Sequence, residues 1–195
     1  ILVGEGSVAA EDSEGKVISA DKITYEKSRE FLLAEGRVKV TDIKGNILTA
    51  DRATYDKINE IIITYDNTEL ILKEGYKLIT KNITYDRKNK IFSSNNNSIF
   101  TDNDGNKIET SMFQYHIESN LFSAVGKIKI IDVKKNKYFL KEVHVDTKKK
   151  EMVGSDVSVI LDQKNFGVSE ESDPRFVANH IFMTENKTDL SKGVF

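Results

Sequence analysis

Three histidines, His116, His144 and His180, are the first places to look for chemistry, because imidazole is both a common metal ligand and a general base near neutral pH. Their spacing does not bring them to one face, and they read as scattered surface residues. The segment "TDNDGNK" (residues 101–107) superficially resembles a calcium loop. An EF-hand needs an acid five residues before its glycine and a glutamate six after it. Around Gly105 those positions hold Phe100 and Ser111, so the loop is not a calcium site of that kind. Asp42, Asp102, Asp132 and Asp162 each follow an apolar stretch, where a short carboxylate starts a turn by accepting backbone N–H groups. Asp21 and Asp51, in two Ala-Asp steps, suit side-chain hydrogen bonds at a bulge. With no cysteine there is no thiolate site and no disulfide. No Ser-His-Asp or Cys-His set and no phosphate loop can be assembled from spacing. The carboxylates are too evenly spread to single out a catalytic pair. The expectation is a protein that is not an enzyme and binds no metal or cofactor.

Composition narrows the class further. The chain has 195 residues, 38% apolar and 31% charged, enough for a real but modest core. Its formal charge of -2 argues against nucleic acid as a partner, since phosphate recognition needs a net basic face. The basic run Lys148–Lys150 lies at an expected turn and reads as a solvated loop. No apolar run approaches the roughly 18 residues of a membrane-spanning helix. The sequence opens at Ile1 without a methionine or leader, and so reads as a fragment of a longer chain.

The elements that would position any site come from a repeat. Tyr25, Tyr55, Tyr85 and Tyr115 recur every thirty residues, and Val145 continues the column. Two residues earlier stand Ile23, Ala53, Ile83, Phe113 and Val143, and a second column runs Gly15, Gly45, Gly75 and Gly105. A sixth copy begins near Asp156, where "ANHIFMTEN" (178–186) aligns with "ADKITYEKS" (20–28) after an extra "FGVSEESD" (166–173). Six copies cover residues 1–195 as one domain without a linker.

Each copy reads as β-strand. "RVKVT", "ILTA" and "IIIT" are rich in β-branched residues and several alternate, while nothing sustains a helical period. Turn signals come twice per copy, at the glycine column and at charged clusters such as "EKSRE" and "DKINE". The chain therefore reverses about every fifteen residues, which requires antiparallel strands of roughly 10 to 12 residues. Phe31 and Leu33 share one parity, whereas Val38 and Val40 take the other. Between them sits Gly36, in a column with Gly6, Asp66, Asn96, Gly126 and Asp156, which marks a corner where the strand bends. The expected fold is all-β, an elongated antiparallel β-jellyroll built from stacked, bent hairpins. A second apolar stripe, Leu32, Ile62, Phe92, Phe122 and Met152, falls on the opposite parity.

The copy "AEGRVKVTDIKGNILTADRATYDK" (34–57) resembles the OstA-like family, the periplasmic β-jellyrolls of lipopolysaccharide transport that include LptA, LptC and the N-terminal domain of LptD. "GSVAAEDSEGKVISADKITYE" (6–26) is a second full match. Later copies depart: "KEGYKLITKNITYD" lacks the Ala-Asp step and "FLKEVHVD" lacks the tyrosine. The end, "DPRFVANHIFMTENKTDLSKGVF" (173–195), is similar to the part of the LptD-type domain that precedes a cysteine and then the outer-membrane barrel. The resemblance implies a non-enzymatic transport module at the periplasmic face of the Gram-negative outer membrane. It would accept lipopolysaccharide from an LptA bridge and pass acyl chains to a barrel following residue 195, where an LptE-type lipoprotein would bind. A free LptA-type bridge protein and a β-solenoid adhesin or stalk are the alternatives.

A conduit implies an apolar lining. The candidates are Val38, Val40, Leu48, Tyr55, Ile63, Leu70, Tyr85, Ile91, Phe100, Tyr115, Leu121, Ile128, Ile130 and Ile160, which could equally pack as an ordinary core. The first strand has no earlier copy to pair with, so Val3, Gly4, Glu5, Gly6, Ser7, Val8, Ala9 and Ala10 form the candidate edge for an LptA-type jellyroll.

Overall fold

The computed structural model describes residues 1–12, 15–162 and 174–193; the "FGVSEESD" segment and the last two residues lie outside these ranges. The contacts divide the chain into two compact units, Ile1–Asn96 and Asn97–Phe195. The first unit holds β1 (Leu2–Glu11), β2 (Val17–Glu26), β3 (Phe31–Thr41), β4 (Ile47–Asp56), β5 (Ile61–Tyr65), β6 (Thr68–Ile71), β7 (Lys77–Thr80), β8 (Thr84–Asp86) and β9 (Ile91–Ser94). The second holds β10 (Ser98–Thr101), β11 (Lys107–Thr110), β12 (Phe113–His116), β13 (Leu121–Ile131), β14 (Lys137–Asp146), β15 (Glu151–Ile160), β16 (Arg175–Met183) and β17 (Thr188–Ser191). There is no helix among the described residues.

The ladders within each unit run antiparallel between successive strands, as in β1–β2, β2–β3, β3–β4, β13–β14, β14–β15 and β15–β16. The fold is therefore the all-β antiparallel class expected from the paired turn signals. Solenoid rungs would pair in parallel, so the parallel β-solenoid alternative is excluded.

The turns that begin at Asp42, Asp102 and Asp132 are built alike. Asp42 Oδ1 accepts the backbone N–H groups of Lys44 and Asn46, both at 2.9 Å, and Gly45 takes the positive φ of 88° that closes the loop. The Asn46 side chain then donates its amide to Asp42 Oδ2 at 2.7 Å, while its Oδ1 accepts the N–H of Lys73, one hairpin on, at 3.0 Å. Asn106 and Asn136 repeat the arrangement, accepting from Val133 and Asp162. This Asp-to-Asn linkage stitches neighbouring turns together. At the opposite ends the charged turns are stitched through backbone, Lys57 to Glu30 in one case and Arg87 to Glu60 in the next.

Corners fall on the expected column. Gly6 and Ser7, Gly36 and Arg37, and Asp66 and Asn67 take positive φ in succession, and Gly126 and Asp156 do so singly. One extra residue enters the strand at each bulge: Glu35 pairs with Arg52, yet Val38 pairs with Ala50. The Ala-Asp steps brace these corners. Asp21 accepts from Arg37 Nε at 3.0 Å, and Asp51 accepts from Asn67 at 2.7 Å. Asn96 instead donates to Asn82 at 2.7 Å.

Side chains inside a corner are crowded, so they are small. Ala20, Ala34, Ala50 and Ala53 are buried there in the first unit, joined by Thr64, Thr68, Thr80 and Ser94. The hydroxyls are satisfied: Thr68 donates to Thr64 at 2.9 Å, Thr64 accepts the Ile83 N–H at 2.8 Å, and Thr80 meets Ser94 at 3.2 Å. Long β4 and β13 run through the corner and face two short strands each, β5 and β6 for β4, β11 and β12 for β13.

A Cβ at Gly36 would collide with the Asp21 carboxylate in addition to the strain of φ 74°, whereas a Cβ at Gly6, φ 84°, meets nothing within 4 Å. Gly6→Ala is expected to cost about 1 kcal/mol and Gly36→Ala about 2 kcal/mol or more, read as shifts of the urea midpoint at constant slope.

Candidate functional site

Register converts the repeat columns into rows that cross the strands. In the first unit Ile18, Val40, Leu48, Leu70 and Leu78 are successive cross-strand partners on β2, β3, β4, β6 and β7. On the other side of the corner Tyr25, Leu32, Tyr55, Ile62, Tyr85 and Phe92 form a second row. Both rows share the face of the buried cluster Ala20, Ile23, Ala34, Val38 and Ala53. The tyrosine column and the opposite-parity stripe are thus neighbours on one inner surface. The antiparallel register sets each odd-numbered tyrosine across from an even-numbered leucine, isoleucine or phenylalanine. Tyr85 and Phe92 stack at 4.1 Å between ring centroids.

The second unit has the same two rows. One runs Phe100, Ile108, Ile130, Tyr138, Val159 and Phe176; the other runs Tyr115, Phe122, Val145, Met152 and Met183. Phe100 meets Phe113 and Phe122 edge to face at 4.7 and 4.8 Å. Tyr138 is buried and donates its hydroxyl to Asp132 Oδ2 at 3.1 Å.

Among the lining candidates, Val38, Ile128 and Ile130 are buried on this inner face. Val40, Leu48, Tyr55, Leu70, Tyr85, Phe100 and Tyr115 lie in the inner rows, half-buried. Ile63, Ile91, Leu121 and Ile160 have the other parity; Ile63, for example, pairs with Thr54 and Thr84, and Leu121 pairs with Asp146. Their inward neighbours are Ile62, Phe92, Phe122 and Val159. On the bulged strands the extra residue keeps one parity inward, so Leu32 and Ala34 before it face the same side as Val38 and Val40 after it. β15 pairs through Asp156 without a register shift, so Val159 faces in and Ile160 out.

The edge candidates lie on β1, whose ladder among the described residues is with β2 alone. Leu2 and Val3 are exposed at 68% and 55%, so the strand end is uncovered apolar surface. Val8 packs against the inner cluster, and Gly4 is held close to it, 3.0 Å from a Cβ position to the valine methyls. Glu5 pairs with Lys22 across the ladder at 2.8 Å. β17 is likewise paired only with β16.

One constellation escaped sequence reasoning. Ser123 Oγ lies 2.9 Å from His144 Nδ1, and His144 Nε2 lies 3.0 Å from Glu142 Oε1. Ser123 stands directly across from His144 in the register, a relation that sequence separation hides. The set occupies an outward face, and β13 is paired on both sides at Ser123. Its backbone N–H groups are committed to ladders, which leaves none for an oxyanion hole. The relay is a surface hydrogen-bond chain. Nearby outward residues Ile99, Glu109, Lys127, Lys129, Phe139 and Lys141 line a shallow trough of about 690 Å³ in the second unit. Lys129 and Lys107 both hold Glu109, and Lys141 holds Asp156. No three acidic or histidine side chains converge as metal ligands among the described residues.

No family model matches this chain, and no curated protein matches it. Among solved structures it is similar to LptH, described as the LptA-homologous periplasmic component of the lipopolysaccharide transport device of Pseudomonas aeruginosa, at 15% identity over 83% of this chain and 92% of that one, with a TM-score of 0.30. At that TM-score the likeness carries no argument, and the fold rests on the ladders above.

Burial, followed by the charge of Asp132 and the hydrogen bond to it, pushes the Tyr138 hydroxyl up to about 12 from 10.0. A phenol held protonated by the fold stabilises it fully below 10.0 and loses that contribution as the pH rises through about 12. The melting temperature is expected to fall more steeply across that window in the wild type than in Tyr138→Phe.

Proposed function

We propose that the chain is a non-enzymatic transport module that carries the acyl chains of lipopolysaccharide on the inner face of its bent strands. The observation that carries this reading is the pair of apolar rows in each unit, set beside corner hydroxyls that are already hydrogen-bonded to one another. Such an interior welcomes hydrocarbon and offers no reacting group. Burying a chain of about twelve carbons is worth up to roughly 10 kcal/mol gross. Movement therefore requires neighbouring positions of similar polarity, and rows that continue from strand to strand supply them.

The OstA-like resemblance of residues 4–57 supports the substrate class, and the periplasm is the compartment it implies. The resemblance of residues 173–195 supports the finer reading, a domain of the LptD type at the periplasmic face of the outer membrane, followed by a barrel with its LptE-type lipoprotein. In that role β1 would receive the terminal strand of an LptA-type jellyroll by β-augmentation. A free bridge protein of the LptA type is the second reading. The OstA-like resemblance of residues 4–57 suits it equally well.

A photo-crosslinking residue at Tyr85, in an inner row, is expected to capture lipopolysaccharide in cells, and one at Lys149, in an exposed turn, is not. Equal capture at both, or none at Tyr85 during active transport, contradicts the conduit. Val8→Pro removes a donor and distorts the edge strand. It is expected to weaken binding of an LptA-type partner while thermal melting shows the rest still folded; unchanged affinity with the fold intact would move the contact elsewhere.

A further inference from the structure

The outward face of the second unit carries charge that its own residues do not balance. Register sets two rows on that face, on the side of the corner toward the glycine-column turns. One runs Lys107, Ile131, Lys137, Ile160 and Arg175, so cations alternate with isoleucines. The other runs Ile99, Glu109, Lys129, Phe139, Ser158 and Val177. Four cations in these rows and two at the corner, Lys127 and Lys141, face two carboxylates, Glu109 and Asp156. The turns beside the first row are mixed, Asp102, Asp104, Asp132 and Asp162 against Lys134 and Lys135, and Glu142 beyond the corner meets His144 at 3.0 Å. In the matching rows of the first unit Lys39 and Lys77 are balanced by Glu11 and Glu69. Exposed apolar residues occur on both faces, Val17, Ile71 and Ile79 on the first and Phe139 and Val177 on the second. Charge is the difference.

The corner shows how that difference arises. In the first unit Arg37 Nε donates to Asp21 at 3.0 Å. Three copies on, Lys127 stands in the column of Arg37 and Ser111 in that of Asp21. A Cβ at Gly126 would meet Ser111 Oγ at 2.6 Å, as one at Gly36 would meet the Asp21 carboxylate. The geometry is kept and the carboxylate is gone, so Lys127 has no ion-pair partner among the described residues. Lys127, Lys129 and Lys141 share the trough of about 690 Å³ with Ile99 and Phe139. Glu109 is already held by Lys107 and Lys129, and Asp156 by Lys141.

We infer that this face rests on an anionic lipid surface, with its lysines against headgroup phosphates and with Phe139 and Val177 against the first methylenes of the chains. Cations interleaved with exposed apolar side chains are what peripheral membrane contact requires, since each cation gains from the surface potential and each apolar group from leaving water. The sheet itself argues against a peptide in the trough. β13 is paired by β11 and β14, and β14 by β13 and β15, so their backbone groups are committed to ladders. An extended peptide laid across them would lose hydration at its own N–H and C=O groups without a ladder to join. A lipid asks only for cations and apolar side chains. The contact goes beyond the transport reading and does not depend on it, because these rows face away from the inner ones.

The chain contains no tryptophan, so a single introduced one reports only its own position. Phe139→Trp and Thr49→Trp occupy the same column, three copies apart, one in each unit. The probes are vesicles of phosphatidylglycerol mixed with phosphatidylcholine, and vesicles of phosphatidylcholine alone. Phe139→Trp emission is expected to shift to the blue with the mixed vesicles only, and Thr49→Trp emission with neither. Lys127→Ala is expected to weaken co-sedimentation with the mixed vesicles about fivefold, the share of one cation beside an anionic surface. Lys39→Ala, in the first unit, leaves it unchanged. Thermal melting checks that each variant is folded, and co-sedimentation of the unmodified chain decides the question if Phe139→Trp is not. No binding to the mixed vesicles, equal binding to both kinds, or an equal shift at Thr49→Trp overturns the inference and leaves the conduit standing. Displacement by glycerol phosphate at matched ionic strength overturns it too, because the trough would then take a soluble phosphate. Unchanged affinity in a folded Lys127→Ala protein overturns the part assigned to the corner.

Discussion

A strand that must turn a corner partway along its length dominates this structure. At Gly36 and Arg37, at Gly6 and Ser7 and at Asp66 and Asn67, two consecutive residues take positive φ, and the backbone leaves one direction for another. An extra residue in the ladder is the geometric means. The residues inside the bend must be small, the aspartates of the Ala-Asp steps must hold the outside, and the rows to either side must be apolar because both look into the same interior. Hydrogen bonding follows the same logic. The ladders stay antiparallel through the bend because short strands on each side of it share one long partner, as β5 and β6 share β4.

Turn aspartates and asparagines tie successive hairpins from outside, through Asp42 and Asn46 and their later copies. In the inner rows of the first unit only Leu78 is buried, whereas in those of the second Phe122, Ile130, Tyr138, Met152 and Val159 are, and the rest of both sets is half-buried. A repeat that is regular in its backbone is therefore graded in its interior.

Much of this was legible in the residues. Strands, both turn classes, the corner column and the bracing role of Asp21 and Asp51 follow from β-branched runs and from glycine, asparagine and aspartate at fixed spacing. Facing was less legible. Ile63, Ile91 and Leu121 look like lining by hydrophobicity and spacing, yet the bulge keeps Leu32 and Ala34 on the side of Val38, and their columns turn the other way. Ile160 shares the inward column of Val40 and Ile130 but turns out, because β15 carries no bulge at Asp156. The stripe through Leu32 and Phe122 had no account in one dimension because its partner, the tyrosine column, becomes a neighbour only through antiparallel register. The asparagine four residues after three of the turn aspartates is visible in "DIKGN", "DNDGN" and "DVKKN". Its bond to the next hairpin is not, since nothing local indicates which backbone N–H lies opposite.

The central claim is that acyl chains, and not the sugars or phosphates of a glycolipid, are what this interior recognises. Native mass spectrometry of the purified chain with intact and with fully de-acylated lipopolysaccharide tests it most directly. The account predicts a bound species with the intact molecule and none with the de-acylated one at the same concentration. Equal binding of both would contradict it, because recognition would then lie on the polar surface.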